Sequence, residues 1–171
     1  MWHAPRILIN RDRRQRRSDT RKESAVNPID MFKKKFETYK NIMEKDGEQK
    51  AWDTLMAGYP ERQKKNMGPF IDNSTLAEGF TKAIPAYKML GMDMAVIDIS
   101  NNDMDAVLEV QRVCPVLAMA GEYGFAKPCK VICEMDVQAT KQAFDGMKGG
   151  IISSIADGDC VCIFKYERPK K

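Results

Sequence analysis

The sequence predicts an α+β domain: a helical amino-terminal half, then two antiparallel β-hairpins that form a sheet with helices packed on it. Apolar residues recur every three or four positions over residues 30–90 and alternate with polar residues after Gly91. The 171 residues are 43% hydrophobic and 30% charged, which is typical of a globular chain. We therefore expect one α+β domain over residues 27–171, preceded by a basic arm over residues 1–26.

Two amphipathic helices are predicted first. The helix after Pro28 ends at Asp46-Gly47, and its apolar positions share one face: Met31, Phe32, Phe36, Tyr39, Ile42 and Met43. A second helix over residues 51–56 ends at Gly58, just before Pro60. This spacing leaves charged side chains on the outer faces of both helices, as expected for a helical layer that covers a core.

A third helix is predicted from a capping pattern. Thr75 is followed three residues later by Glu78, so the two form a capping box at a helix start. We expect Pro85 to kink or shorten this helix, because proline removes an internal hydrogen bond. Gly91 is expected to end it.

Two hairpins come after the helices. Residues 92–100 and 105–113 alternate as strands around a polar turn, with a short helical stretch over residues 117–121 after them. A further helix begins at Pro128 and continues to Gly149-Gly150. Residues 150–156 and 160–166 flank Asp157-Gly158, which predicts a two-residue hairpin turn. In the last strand one face is shared by Cys160, Cys162, Phe164 and Tyr166.

Charge is concentrated at the amino terminus. Residues 1–22 hold eight Lys or Arg and two Asp, a net +6, whereas the whole chain is +4, so the remainder is net −2. We interpret the arm as a solvated leader; an arm that binds nucleic acid or docks on a partner protein is the alternative. No apolar run is long enough to span a membrane, and no secretion signal is recognisable, so we expect a cytoplasmic protein.

The potential chemistry lies in thiols and carboxylates. The chain has a single histidine, His3, which excludes a two-histidine metal site and disfavours catalysis by a Cys–His or Ser–His pair. Its five cysteines are odd in number and lie in the last third, which indicates reduced thiols rather than a disulfide framework. No Cys-x-x-Cys motif is present.

Three of these side chains are predicted to share one helix face. Cys129 and Cys133 are four residues apart, and Asp136 follows three residues later. With the second hairpin beneath the helix, several thiols would converge near Asp136. A zinc site, a thiol nucleophile and a set of buried thiols that simply fill space all remain open on this spacing. If a thiol is the nucleophile, the general base that deprotonates it would be Glu122, Glu134, Asp136 or Lys130.

Four motifs follow one another in the carboxyl-terminal part of the chain: Arg112-Val-Cys-Pro115, Gly121-Glu122, Cys129-Lys-Val-Ile-Cys133-Glu-Met-Asp136 and Ser154-Ile-Ala-Asp-Gly-Asp-Cys-Val-Cys-Ile-Phe164. Their order resembles that of the L-2-amino-thiazoline-4-carboxylic acid hydrolase family. The resemblance covers about 140 residues and depends on about ten positions. Here Val113 separates the arginine from the cysteine, and Cys129 and Cys160 are additional thiols.

This resemblance implies a small hydrolase that opens a five-membered sulfur–nitrogen ring by attack on its amidine-like carbon. Cys133 would be the nucleophile or a water-orienting thiol, Asp136 the base or proton shuttle, and Glu122 a further catalytic group. The expected substrate-binding residues are Arg112, Cys114, Lys130, Cys162 and Phe164, with Arg112 or Lys130 pairing with the substrate carboxylate. The implied partner is a small molecule, with no cofactor; zinc and a homodimer remain open.

The last hairpin also resembles vinyl-reductase-type ligand-binding domains, which end in an alanine-x-glycine turn and a cysteine-x-aromatic strand. Their zinc-binding Glu-x-x-Cys motif corresponds here to Ile151 and Ser154, so that zinc site is not carried over. The alternative function is therefore a non-catalytic small-molecule-binding domain. Its apolar pocket would be lined by methionines and by Tyr87, Phe125, Phe164 and Tyr166.

Overall fold

A computed structural model describes residues 28–170, so the basic arm over residues 1–26 lies outside the described part of the chain. Four helices come first: α1 (Pro28–Asp46), α2 (Glu48–Met56), α3 (Tyr59–Ile71) and α4 (Leu76–Met89). The hairpin of β1 (Asp93–Asp98) and β2 (Met104–Val113) and the short helix α5 (Leu117–Glu122) come next. A π-helical turn (Lys130–Glu134), α6 (Met135–Ala143), β3 (Lys148–Ser153), a 3₁₀ turn (Ile155–Asp157) and β4 (Cys162–Pro169) complete the chain.

The four strands form one antiparallel sheet in the order β1-β2-β4-β3. Each hairpin is a neighbouring pair, and β2 joins them by pairing with β4. The first hairpin turns at Asn101, whose Oδ1 accepts hydrogen bonds from the N–H groups of Asp103 and Met104 at 3.0 and 2.9 Å. The predicted α+β architecture with two antiparallel hairpins is therefore confirmed.

One face of the sheet is covered by helices. Alternate residues of β2 are buried there, from Asp105 to Gln111. In β4 Cys162, Phe164 and Tyr166 share one face as predicted, and the structure shows that this face is buried. Cys160, predicted on the same face, precedes the strand and is exposed. None of the helices within residues 28–170 has the length and apolar character needed to cross a membrane.

The buried side chains form two clusters. The sheet cluster joins the sheet to α3, α4 and α6 through residues that include Ile71, Phe80, Val107 and Tyr166. The helical cluster joins α1, α2, α5 and the π-helical turn through residues that include Phe36, Ala51, Met119 and Val131. Cys133 packs against both clusters. The π-helical turn therefore lies where the two halves of the core meet.

A buried ion pair ties the α3–α4 corner to the sheet. Arg168 on β4 donates from Nε to Asp105 Oδ2 at 2.9 Å, and its other nitrogens donate to the backbone carbonyls of Ile71 and Asn73. Asp105 also accepts a hydrogen bond from the N–H of Leu76 at the start of α4. The pair is thus satisfied on both sides, which a buried ion pair requires.

Two helix predictions need correction. Helix α3 is absent from the sequence prediction, because Pro60 resembles a residue that follows a helix end; it lies in the first turn of α3, where a proline needs no N–H donor. The predicted cap of α4 is confirmed, since the Thr75 side chain accepts from the N–H of Glu78 at 3.1 Å. Of the two effects expected at Pro85, a kink or a shortening, the shortening does not occur, because α4 continues to Met89.

The last hairpin also departs from expectation. Helix α6 ends at Ala143, and Gly149 belongs to β3, where the Tyr166 ring packs so closely that a Cβ would lie 2.9 Å from it. The predicted two-residue turn at Asp157-Gly158 is wrong, because Ser153 pairs with Ile163 and the residues between them form a longer connection. Within it, Ser154 caps the 3₁₀ turn.

Candidate functional site

A cavity of 240 Å³ lies between the helices and the covered face of the sheet. We call it the central cavity. Much of its wall is apolar, including Phe32, Leu90, Met92, Met94, Ile132 and Phe164. Its polar groups come from distant parts of the chain: Lys35, Tyr59, Tyr87, Glu109, Gln111, Cys133, Asp136 and Tyr166. An apolar cavity with a few converging ionisable groups is the usual form of a small-molecule site.

Glu109 is the most unusual group in this cavity. It lies on β2 at an inward position, only 4% exposed, and burial raises the pKa of its carboxyl to about 8. The adjacent Tyr87 hydroxyl opposes that shift, but Oε1 has no hydrogen-bond partner, alone among the buried side-chain N and O atoms of residues 28–170. An unpartnered buried oxygen is costly unless something else supplies a donor, so it points to a ligand.

Asp136 enters the same cavity from the first turn of α6. The Tyr59 hydroxyl donates to its Oδ1 at 3.1 Å, and Lys35 Nζ donates to the Tyr59 hydroxyl at 3.3 Å. Burial raises the pKa of Asp136, while the charge of Lys35 and the hydrogen bond from Tyr59 oppose the shift. Burial also lowers the pKa of Lys35 to about 8. The cavity therefore contains two carboxyl groups and one amine whose charges depend on each other.

Cys133 presents a neutral thiol to the cavity. It belongs to the π-helical turn, and its S–H donates to the sulfur of Cys129, which together with burial raises the pKa of Cys133. A raised pKa keeps the proton on sulfur at neutral pH and makes this thiol a poor nucleophile. Of its two predicted roles, the geometry favours orienting water over attacking the substrate.

The structure brings together some of the predicted site residues. Cys133, Asp136 and Phe164 line the central cavity. Cys114 and Cys162 lie close enough to Cys133 to affect its ionisation, but neither lines the cavity. Cys162 is buried and its sulfur accepts from the N–H of Ile155 at 3.3 Å, which indicates a structural contact.

The other three predicted residues lie elsewhere. Glu122 is exposed at the end of α5. Arg112 is exposed and faces Asp93 at 3.7 Å, and Lys130 is exposed and pairs with Glu48 at 2.8 Å. None of the three lines the central cavity. Among the residues that the structure describes, the cation that lines the cavity is Lys35.

The zinc alternative gains no support from this arrangement. Within residues 28–170, no group of three or more His, Cys, Asp or Glu side chains has a geometry that would hold a metal ion. The thiols were expected to converge near Asp136; the structure places Cys114, Cys129 and Cys162 near Cys133. Their contacts are with each other, with Ser154 and with backbone groups, as in a packed thiol cluster.

Sequence reasoning missed Glu109, Lys35 and Tyr59. For Glu109 a usable pattern was present, because Val107, Glu109 and Gln111 alternate on one face of a strand whose Val107 is fully buried. A carboxylate on the covered face of a sheet is a candidate functional group. Lys35 and Tyr59 had no comparable local pattern, since their proximity to Asp136 depends on how α1 and α3 pack.

No model of a known protein family matches the chain, and no curated protein matches it. The family resemblance of the carboxyl-terminal motifs therefore stays a prediction. The function has to be argued from the chemistry of the central cavity, where carboxyl groups on the sheet side and the helix side face one apolar volume.

Proposed function

We propose that this chain is a small hydrolase that binds a five-membered sulfur–nitrogen ring of the aminothiazoline-carboxylate type in the central cavity and opens it. The observation that carries the proposal is the unpartnered Oε1 of the Glu109 carboxyl, which faces the same cavity as Asp136 and Lys35. The resemblance of the carboxyl-terminal motifs to a hydrolase family acting on such rings supports the same conclusion.

The charges of the cavity complement those of such a substrate. A cyclic amidine is readily protonated and carries N–H donors, which suit the oxygens of Asp136 and Glu109. Its carboxylate suits the amine of Lys35, the cation that lines the cavity among the described residues. A volume of 240 Å³ accommodates one small ring and a water molecule. The apolar wall strengthens each of these interactions by excluding bulk water.

The reaction needs an acid and a base on one substrate. Asp136 takes a proton from water as the water oxygen bonds to the amidine-like carbon. The bond from that carbon to a ring heteroatom then breaks, and Glu109 gives its proton to the departing atom. With a pKa of about 8, Glu109 still holds this proton at neutral pH. The S–H of Cys133 is donated to Cys129, so Cys133 orients the attacking water by accepting a hydrogen bond from it on sulfur.

A second candidate is the non-catalytic small-molecule-binding domain. It is favoured by the largely apolar wall of the central cavity, to which Phe32, Met92 and Met94 contribute. In that case Glu109 and Asp136 would select a ligand with N–H donors without carrying out chemistry on it. The two candidates differ in whether the ligand leaves the cavity unchanged.

Mass spectrometry on a panel of thiazoline and thiazolidine carboxylates tests the hydrolase. We expect ring opening by the wild type and a loss of about 100-fold or more in rate for Glu109→Gln and for Asp136→Asn, since each variant keeps the shape but removes the proton transfer. Glu61→Gln, which changes an exposed carboxyl on α3, is the matched control and should keep the wild-type rate. Undiminished turnover in both cavity variants would contradict the mechanism, and binding without product would favour the second candidate.

A further inference from the structure

A second cleft of 390 Å³ lies between the π-helical turn, α6 and the connection that follows β3. We call it the Cys129 cleft. Cys129 lies in its wall together with Ser154 and three carboxylate residues, Glu134, Asp157 and Asp159. The proposed hydrolase uses none of these groups.

Two groups that can donate a hydrogen bond lie against the sulfur of Cys129. Ser154 Oγ lies 3.2 Å from Sγ, in a contact where either atom can be the donor, and the S–H of Cys133 is directed at the same sulfur. The π-helical turn creates this arrangement: the N–H of Glu134 donates to the carbonyl of Cys129 at 2.7 Å, five residues back. Such turns often occur at functional sites.

These donors favour the thiolate form of Cys129. They lower its pKa to about 6, with the bond from Cys133 as the largest cause, although burial and the nearby carboxylates oppose the shift. Cys133 and Cys114 have raised pKa values, and Cys162 is buried. Cys129 is therefore a partly accessible thiol that is ionised near neutral pH, which is the condition for reactivity.

We propose that Cys129 is a covalent modification site that captures small, uncharged, activated alkenes entering through the Cys129 cleft. The thiolate sulfur bonds to the β-carbon of the alkene, the π electrons move toward the carbonyl, and the α-carbon takes a proton from water, leaving hydroxide. Uncharged reagents are favoured over anionic ones, because the negative charges of Glu134, Asp157 and Asp159 repel anions. Lys127 forms an ion pair with Asp157 and offsets that one negative charge.

The test labels the full chain at pH 5.5 and locates the adducts by peptide mass spectrometry. N-ethylmaleimide is the uncharged probe, maleimidoacetic acid is its anionic counterpart, and the exposed Cys160 is the internal reference. At this pH a lowered thiol pKa gives far more thiolate, only partly offset by weaker nucleophilicity, so Cys129 should react roughly tenfold faster than Cys160. With the anionic probe this preference should shrink.

Variants separate reactivity from mere exposure. Cys133→Ala removes a donor and should slow labelling of Cys129 at pH 5.5, whereas Cys133→Ser restores a hydroxyl donor and should recover much of the rate. Circular dichroism checks that each variant is folded. Labelling of Cys160 ahead of Cys129, or a Cys129 rate that rises only above pH 8, would overturn the proposal. Neither measurement depends on ring hydrolysis.

Discussion

Burial determines what the two carboxyl groups of the central cavity can do. Glu109 and Asp136 would both be ionised in water at neutral pH, but each has lost most of its hydration. Asp136 regains part of that stabilisation from Tyr59 and Lys35. Glu109 has only Tyr87 beside it, and its pKa rises to about 8. Two acids of similar intrinsic strength are thereby suited to opposite roles in proton transfer.

The raised pKa of Glu109 predicts a pH-dependent stability. The ordinary pKa of 4.5 applies to the unfolded chain and about 8 to the folded one, so unfolding releases a proton between these values. The free energy of unfolding should therefore fall as the pH rises from about 4.5 to 8. The glutamine of Glu109→Gln cannot ionise, so its free energy of unfolding lacks this pH dependence. The free energy of unfolding of the variant relative to the wild type should therefore rise across this range, by up to about 4 kcal/mol.

Urea unfolding at pH 5 and pH 8 measures this difference. The comparison uses the change in unfolding free energy between the two pH values, so the effect of the substitution common to both conditions cancels. Glu61→Gln, on the surface of α3, should behave as the wild type does at both pH values. A constant difference between wild type and Glu109→Gln from pH 5 to pH 8 would show that Glu109 is ionised in the folded protein.

At the scale of elements, the π-helical turn and α6 separate the two cavities. Cys133 and Asp136 line the central cavity, while Cys129 and Glu134 line the Cys129 cleft. Cys129 was expected to share one helix face with Cys133 and Asp136, but it lines a different cavity from these two residues. That expectation assumed regular α-helical spacing, whereas one extra residue in the turn rotates the residues before it by about 100° relative to the residues after it.

The elements that sequence predicts well are those whose apolar period is undisturbed. Helix α1 and strand β2 have that property, because each packs one continuous face against the core. Helix α3 was missed because its two prolines, Pro60 and Pro69, resemble helix breakers. The start of β3 at Lys148 was not predicted, because Gly149 resembles a residue that ends a helix. Its role is to make room for the Tyr166 ring on the neighbouring strand, and no local sequence pattern shows that contact.

The α3–α4 crossing predicts a strong effect at one glycine. A Cβ on Gly79 would lie 1.8 Å from the carbonyl oxygen of Phe70, so Gly79→Ala must push α4 away from α3. We expect a loss of about 2 kcal/mol or more in unfolding free energy, measured by urea denaturation. Gly121→Ala in α5 is the matched control: a Cβ there meets nothing within 4 Å, so it should gain up to about 1 kcal/mol. Equal effects of the two substitutions on the unfolding free energy would contradict the close approach of α4 to α3 at Gly79.

At the scale of the molecule, the central cavity lies where the sheet cluster and the helical cluster meet. Phe164 and Tyr166 belong to the first, and Ile132 belongs to the second, yet all three line the cavity. Asp136 and Cys133 could be predicted as site residues from the sequence, because both belong to one local motif. Lys35 could not, since only the packing of the helical cluster on the sheet brings α1 to that point.

A ligand that contacts both clusters should stabilise the whole fold. A molecule that binds the folded state alone adds about 2.7 kcal/mol to its stability at a concentration 100 times the Kd, which raises the melting temperature by several degrees. We expect 2-aminothiazoline-4-carboxylate to produce such a shift when it is measured by thermal denaturation before appreciable turnover. The same ring without the exocyclic nitrogen should produce a smaller one, because the Glu109 carboxyl then loses a donor. Glu109→Ala should reduce the difference between the melting-temperature shifts that the two rings produce.

Equal melting-temperature shifts from both rings in the wild type would mean that the cavity does not recognise the amidine. A larger shift from the amidine without ring opening would identify the chain as a binding domain.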